Sequence, residues 1–218
     1  MYLAKSPFFL KWYYSNLIWN MPRTEKTVYL TFDDGPIPNV TDFVLNTLKS
    51  FEVKATFFCI GDNITKHPKT FERLKNEGHA IGNHTFNHLK GWKTDDETYI
   101  ANTLKCQELT QSKLFRPPYG RIKKSQIRSL ESLVWSFEQP PQLLTNNSQL
   151  KIIMWDVLSG DFDVNLSPEK CYENVIKNTE NGSIIVFHDS IKAFDRLQYA
   201  LPKTIQYLRD KGYQFGTL

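Results

Sequence analysis

At 218 residues with a formal net charge of +4, the chain is long enough for one α/β barrel, and the absence of any run of five like charges argues against a nucleic-acid-binding protein. Hydrophobic residues at 40% and charged residues at 23% sit near the averages of soluble globular domains, which argues against both a disordered chain and a membrane protein. Cys59, Cys106 and Cys171 are odd in number, widely spaced and free of any C-x-x-C pattern, so buried thiols are expected rather than a disulfide framework or a zinc knuckle.

The first residues, Met1 to Met21, are apolar and aromatic but interrupted by Lys5, Lys11, Asn16 and Asn20. They lack an apolar region followed by a cleavage site, and also a clean span of about 20 apolar residues, so neither a signal peptide nor a transmembrane helix is expected. Residues 1–25 read as an N-terminal extension packed on a single domain that fills residues 1–218. A peripheral membrane contact through Phe8, Phe9, Trp12, Tyr13 and Tyr14 is the alternative. With no export signal in view, the default location is cytoplasmic.

Val28, Leu30 and Phe32 alternate with Thr27, Tyr29 and Thr31, the period of a strand, and Gly35-Pro36 ends it. Asp33 and Asp34 follow directly. Neighbouring side chains on an extended backbone point opposite ways, so the two acids can serve one site only if the chain turns there; otherwise they are solvated turn carboxylates. A helix over Asn39 to Phe51 comes next, then a strand over Lys54 to Ile60, a short helix over Pro68 to Glu77 closed by Gly78, and a third strand over His79 to Asn83. Strands at Leu114 to Arg116, Lys151 to Val157, Ser183 to His188 and Tyr213 to Leu218 alternate with helices around Glu97 to Thr110, Ser125 to Ser132, Pro168 to Thr179 and Phe194 to Lys211. This alternation predicts parallel pairing with the helices outside, and seven strands suit an irregular (β/α) barrel. Leu133 to Leu150 is longer than an ordinary connection and reads as an insertion.

Barrels of this kind carry their chemistry at the C-terminal strand ends. There the sequence puts Asp33 and Asp34, His84 and His88, Arg116 and Tyr119, Asp156 and Asp161, and His188 with Asp189. The spacing His84-Thr85-Phe86-Asn87-His88 would put both imidazoles on one face of a helical turn, and a nearby carboxylate would complete two nitrogens and one oxygen for a divalent cation, with positions left open. Surface or capping histidines are the alternative. The 15 Phe, 10 Tyr and 5 Trp suit either an aromatic-rich core or a sugar-binding groove.

In this order the residues resemble the polysaccharide deacetylases, the NodB-homology domains of carbohydrate esterase family four. Thr31-Phe32-Asp33-Asp34-Gly35-Pro36 matches the family's first motif and His84-Thr85-Phe86-Asn87-His88 its second. Arg116-Pro117-Pro118-Tyr119-Gly120 is similar to the third, and Ile185-Val186-Phe187-His188-Asp189 to the fifth, with Val186 in place of leucine. The fourth motif departs most. Leu158-Ser159-Gly160-Asp161-Phe162 keeps only the second of two aspartates and carries Phe162 where the family has tryptophan, a change expected to alter the groove wall.

The resemblance implies a hydrolase that removes N-acetyl groups from amino sugars in a polysaccharide such as peptidoglycan or a chitin-like chain. An O-acetyl esterase, a deacetylase of small N-acyl compounds and a non-catalytic glycan-binding relative are the other readings. It further implies that Asp34, His84 and His88 hold one divalent metal, zinc with cobalt or nickel as alternatives. In the same terms Asp33 is the base, Arg116 orients it, His188 is the acid supported by Asp161, and Tyr119 and Pro118 meet the substrate. Polymer substrates of the family usually lie outside the membrane, which conflicts with the missing export signal. His67 and His79 read as structural, and Asp156 and Asp189 as either supporting acids or caps.

Overall fold

The structure, a computed structural model, describes residues 2–132 and 150–218. Strand β1 (Thr27–Asp33) lies centrally in a parallel sheet with β2 (Thr56–Cys59), β3 (Ala80–Asn83), β4 (Leu114–Phe115), β5 (Lys151–Ile152), β6 (Val157–Leu158) and β7 (Ile184–His188). The order across the sheet is β5-β4-β3-β2-β1-β7-β6. This curled parallel sheet agrees with the expected irregular (β/α) barrel; with β8 (Gln214–Gly216), the strand expected over Tyr213 to Leu218, it has eight strands among the described residues instead of the expected seven, because one expected strand is split in two. β8 is an addition to this path, pairing with Thr27 to Tyr29 at the start of β1, while β2 pairs with Thr31 to Asp33 further along.

The strand expected over Lys151 to Val157 is divided. Its two halves, β5 and β6, are the opposite edges of the sheet, and the residues between them cross from one edge to the other. Ile153 N–H donates to the Phe115 carbonyl (2.8 Å) and Asp156 N–H to the Ile184 carbonyl (3.0 Å). The N-terminal segment fills the crossing, with Ile18 N–H donating to Ile152 O (3.0 Å) and Met154 N–H to Ile18 O (2.7 Å). The apolar run Ile152 to Trp155 cannot reveal this, because its residues change pairing partner without changing character. The segment read as an insertion lies outside the described residues, apart from the buried Leu150.

Helices cover the outer face: α2 (Val40–Ser50), α3 (Gly61–Lys66), α4 (Pro68–Asn76), α5 (Asp96–Thr110), α6 (Lys124–Ser132), α7 (Pro168–Asn178) and α8 (Phe194–Asp210). The two-residue period of β1 sorts its side chains. Val28, Leu30 and Phe32 enter the main core with Val44 and Leu48 of α2 and Leu197 and Leu201 of α8. Phe32 stacks between Phe57 (4.9 Å between ring centroids) and Phe187 (6.1 Å), one aromatic rung across three strands. Tyr29, Thr31 and Asp33 take the opposite face.

Before β1, a six-residue helix absent from the sequence reading, α1 (Phe8–Tyr13), exposes Phe8, Phe9, Trp12 and Tyr13. Leu17 and Trp19 after it are buried with Tyr99, Phe115, Ile127 and Leu130. Among the described residues no helix is long and apolar enough to cross a membrane. Cys59, Cys106 and Cys171 are free and buried.

Candidate active site and metal centre

Sheet register brings the rim residues together. Asp33 lies beside His188 across β1 and β7, and beside Phe58 across β1 and β2. His84 N–H donates to Cys59 O and Arg116 N–H to Asn83 O, so the next two strands end at the same level. Residues 155 positions apart in sequence thereby share one small region.

Asp33 and Asp34 separate at the turn. Asp34 adopts φ 86°, outside the ordinary range for a residue with a side chain. Two contacts hold it there. Asn63 Nδ2 donates to Asp34 O (2.7 Å), and Asp189 Oδ1 accepts from Gly35 N–H (3.0 Å). A Cβ at residue 35 would lie 1.9 Å from Asp189 Oδ2, so only glycine allows this approach. Asp189 Oδ2 also bonds Thr41 Oγ1 (2.6 Å), and burial raises the Asp189 carboxyl to about 8. Asp189 therefore buttresses the turn and does not face the reaction.

Asp34 then turns toward the histidines, with Oδ1 3.2 Å from His88 Nε2 and 3.7 Å from His84 Nε2. This buried oxygen has no hydrogen-bond partner. His84 Nδ1 lies 2.8 Å from the Arg116 carbonyl, so it carries the proton and leaves the Nε2 lone pair directed inward. Burial lowers His84 to about 4, making it a neutral imidazole at ordinary pH. Burial opposes charge on Asp34 as well, but the neighbouring imidazoles outweigh it and hold the carboxyl well below its usual range. One atom from each of the three side chains lies within 4.8 Å of the others. An orphaned carboxylate oxygen facing two imidazole nitrogens fits a divalent cation.

The expected helical turn at the histidines is not formed. Residues 84–90 are a loop with left-handed Thr85 (φ 63°) and His88 (φ 56°). Asparagine side chains shape it: Asn83 Oδ1 accepts from Thr85 N–H, and Asn102 Oδ1 accepts from the N–H groups of Phe86 and Asn87. Loop curvature does what helical spacing was expected to do.

Arg116 is fully buried with its guanidinium over the Phe58 ring at 4.1 Å. Nη1 donates to Asp33 Oδ1 and Thr31 Oγ1 (both 2.7 Å), Nη2 to Met154 O (3.0 Å) and Nε to Ile153 O (3.3 Å). One side chain thus orients Asp33 and satisfies two carbonyls at the crossing between β5 and β6. Pro118 is buried at the start of a short turn, where Tyr119 adopts φ 60° and holds its half-exposed ring 4.6 Å from His88.

On the other side of Asp33, Asp161 Oδ1 accepts from His188 Nδ1 (2.8 Å) and Oδ2 from His188 N–H (2.7 Å). Burial disfavours a charged imidazole, yet Asp161 outweighs it and raises His188 to about 9. Arg196 Nε fixes the Asp161 carbonyl (2.6 Å). Sequence reasoning missed Arg196, whose only signal is an arginine on the apolar face of a helix. Asp156 stands apart, binding Lys5, Arg23 and Ser183 near the N-terminal segment, with Lys11 in short contact. His79 accepts from Ala55 N–H with Nδ1 (3.2 Å) and is structural.

The geometry has counterparts. A model described as polysaccharide deacetylase matches residues 20–135. A peptidoglycan-N-acetylglucosamine deacetylase of Bacillus cereus is 31% identical over 210 residues, spanning 92% of this chain and 90% of its own length. The peptidoglycan-N-acetylmuramic acid deacetylase PdaC of Bacillus subtilis is 26% identical over 200 residues, 89% of this chain and 38% of its own. Among solved structures, that of the Bc1960 peptidoglycan N-acetylglucosamine deacetylase superposes with a TM-score of 0.83 at 32% identity, covering 98% of this chain and 95% of its own. Motifs, fold and these likenesses agree: the chain belongs to the polysaccharide deacetylase family of hydrolases.

Proposed function

We propose that the protein removes acetyl groups from N-acetylated amino sugars of a peptidoglycan-type polysaccharide with the help of one divalent metal, zinc before cobalt or nickel. The observation that carries this reading is the unpartnered Asp34 Oδ1 facing His84 and His88, beside an Asp33 clamped by Arg116 and a His188 clamped by Asp161. Names of the similar proteins support the polymer: peptidoglycan deacetylases acting on N-acetylglucosamine or N-acetylmuramic acid.

Asp34, His84 and His88 would hold the cation, which when bound polarises the acetyl carbonyl and makes water more acidic. Asp33 takes a proton from the attacking water, and Arg116 keeps the carboxylate aimed. The Tyr119 N–H donates to the oxygen that gains charge as the carbonyl carbon becomes tetrahedral, a contact of roughly 3 kcal/mol in related settings. His188, protonated up to about pH 9, gives its proton to the sugar nitrogen as the carbon–nitrogen bond breaks. Acetate and a free amine result.

The test is acetate release from an N-acetylglucosamine oligomer and from muropeptides by chelator-stripped protein titrated with Zn²⁺, Co²⁺ or Ni²⁺. Release restored by metal in the native sequence and absent in His84→Ala is the expected outcome. Stoichiometric metal binding with no release from either substrate would remove the deacetylase reading.

A further inference from the structure

The fourth motif carries Phe162 where the family pattern has tryptophan, and its surroundings include the N-terminal segment. The Phe162 ring meets His188 edge to face, 5.2 Å between centroids and 74° between planes. Behind it stands Tyr2, with its ring 4.9 Å from that of Phe162. Tyr2 Oη donates to Asp163 Oδ2 at 3.1 Å, and a Cβ on Gly160, at φ 81°, would lie 2.7 Å from that hydroxyl. Tyr2 therefore touches residues 160, 162 and 163, on both sides of Asp161 in the loop that delivers this carboxylate to His188.

Tyr2 is brought there by backbone pairing along the free edge of β6. Lys5 bridges Val157 antiparallel, Leu158 N–H donates to Ala4 O (2.8 Å), and Ser6 N–H donates to Asp156 O (2.9 Å). Lys5 Nζ adds an ion pair to the buried Asp156 at 2.9 Å. An edge strand with unpaired groups needs such cover, so this pairing has its own structural cause. It also fixes the register that sets Tyr2 over the loop.

We infer that Tyr2 is a positioning residue for the His188–Asp161 pair, its ring standing in the space that a tryptophan at position 162 would fill. A phenyl group is smaller than an indole and, unsupported, leaves room for the loop to shift. The Tyr2 ring removes that freedom from behind, and its hydroxyl ties down Asp163. The inference rests on the proposed acid role of His188, and acts on the rate of the chemical step rather than on metal or polymer binding.

The experiment compares Tyr2→Ala, Tyr2→Phe, Leu3→Ala and Tyr2→Ala with Phe162→Trp, all in the full chain, by acetate release and by NMR of ¹⁵N-histidine-labelled protein, with the His188 signal assigned by its loss in His188→Asn. Tyr2→Ala should lower kcat about tenfold with KM little changed, and shift or broaden the His188 Nδ1–H resonance. Tyr2→Phe should retain most of the rate, Phe162→Trp should restore much of what Tyr2→Ala loses, and Leu3→Ala on the same strand should match the native sequence. Unchanged kcat and an unchanged His188 resonance in Tyr2→Ala would overturn the inference, as would equal losses from Leu3→Ala, which would indicate general damage to the edge strand. If the native protein releases no acetate, the His188 resonance still decides the role of Tyr2, so the two proposals fail separately.

Discussion

Adjacent carboxylates serve different partners here because one residue leaves the extended conformation. Asp33 stays in β1 and meets Arg116, whereas the left-handed backbone of Asp34 swings its side chain toward His84 and His88. A conformation of this kind costs roughly 1–3 kcal/mol and persists where the surroundings hold it, here through Asn63, Gly35 and Asp189. Arg116 is the least replaceable of these residues. Its four hydrogen-bond partners lie around a planar fork that lysine cannot reproduce, so Arg116→Lys should lower kcat/KM by about 100-fold or more and also lower the melting temperature. A variant with native turnover would contradict the orienting role. The pH profile tests His188. In the proposed acid role its protonated form is the working one, and its pKa is raised, so activity should persist through neutral pH and fall on the alkaline side, at or below about 9. Without Asp161, burial is left to act on the imidazole, so Asp161→Asn should move the alkaline limb of kcat/KM down by about one to two pH units. A limb that does not move would show that another group sets it.

At the scale of elements, the N-terminal segment is fastened to the sheet by one buried carboxylate. Asp156 is inaccessible and receives Lys5, Lys11, Arg23 and Ser183, which together outweigh the cost of burying it and lower its pKa to about 2. Because the folded-state pKa is depressed, the stabilisation is present above the unfolded value near 4 and fades as pH falls from there toward 2. It amounts to about 2 kcal/mol at neutral pH. Asp156→Asn leaves cations without their partner and should cost about 3–5 kcal/mol, read as a lower urea midpoint at pH 7, with a smaller deficit at pH 3. An equal deficit at both pH values would rule out the ionic explanation. Such a contact illustrates what the sequence concealed. Asp33, Asp34, His84, His88, Arg116 and His188 were legible because each lies at the end of an apolar strand or in the loop that follows it, and period and position together mark the rim. Lys5 and Asp156 lie 151 residues apart with no shared period, and Tyr2, Arg196 and the split between β5 and β6 are hidden for the same reason. Local pattern records which face of an element is buried; it does not record which distant residue covers it.

For the whole molecule, the proposed metal-binding triad joins the ends of β1 and β3 across the intervening β2. That rim contains a buried Asp34 carboxylate oxygen that has no hydrogen-bond partner and faces the Nε2 atoms of His88 and His84 at 3.2 and 3.7 Å, an arrangement that costs stability in the folded state. A cation bound only by the folded chain must therefore raise its stability, and the gain follows from mass action. At free Zn²⁺ one hundred times the dissociation constant it is about 2.7 kcal/mol, which for a chain of this size corresponds to roughly 5–11 °C in melting temperature. The shift should grow with the logarithm of free metal and vanish in His84→Ala and in Asp34→Ala. Asp33→Asn, whose carboxylate belongs to Arg116 rather than to the triad, should keep it while losing acetate release. Calorimetry of chelator-stripped protein across a zinc series reads all four proteins without any substrate. A shift retained in both triad variants would move the metal elsewhere, and the same shift lost in Asp33→Asn would show that the two aspartates act as one ligand set, against the division of labour that the turn at Asp34 implies.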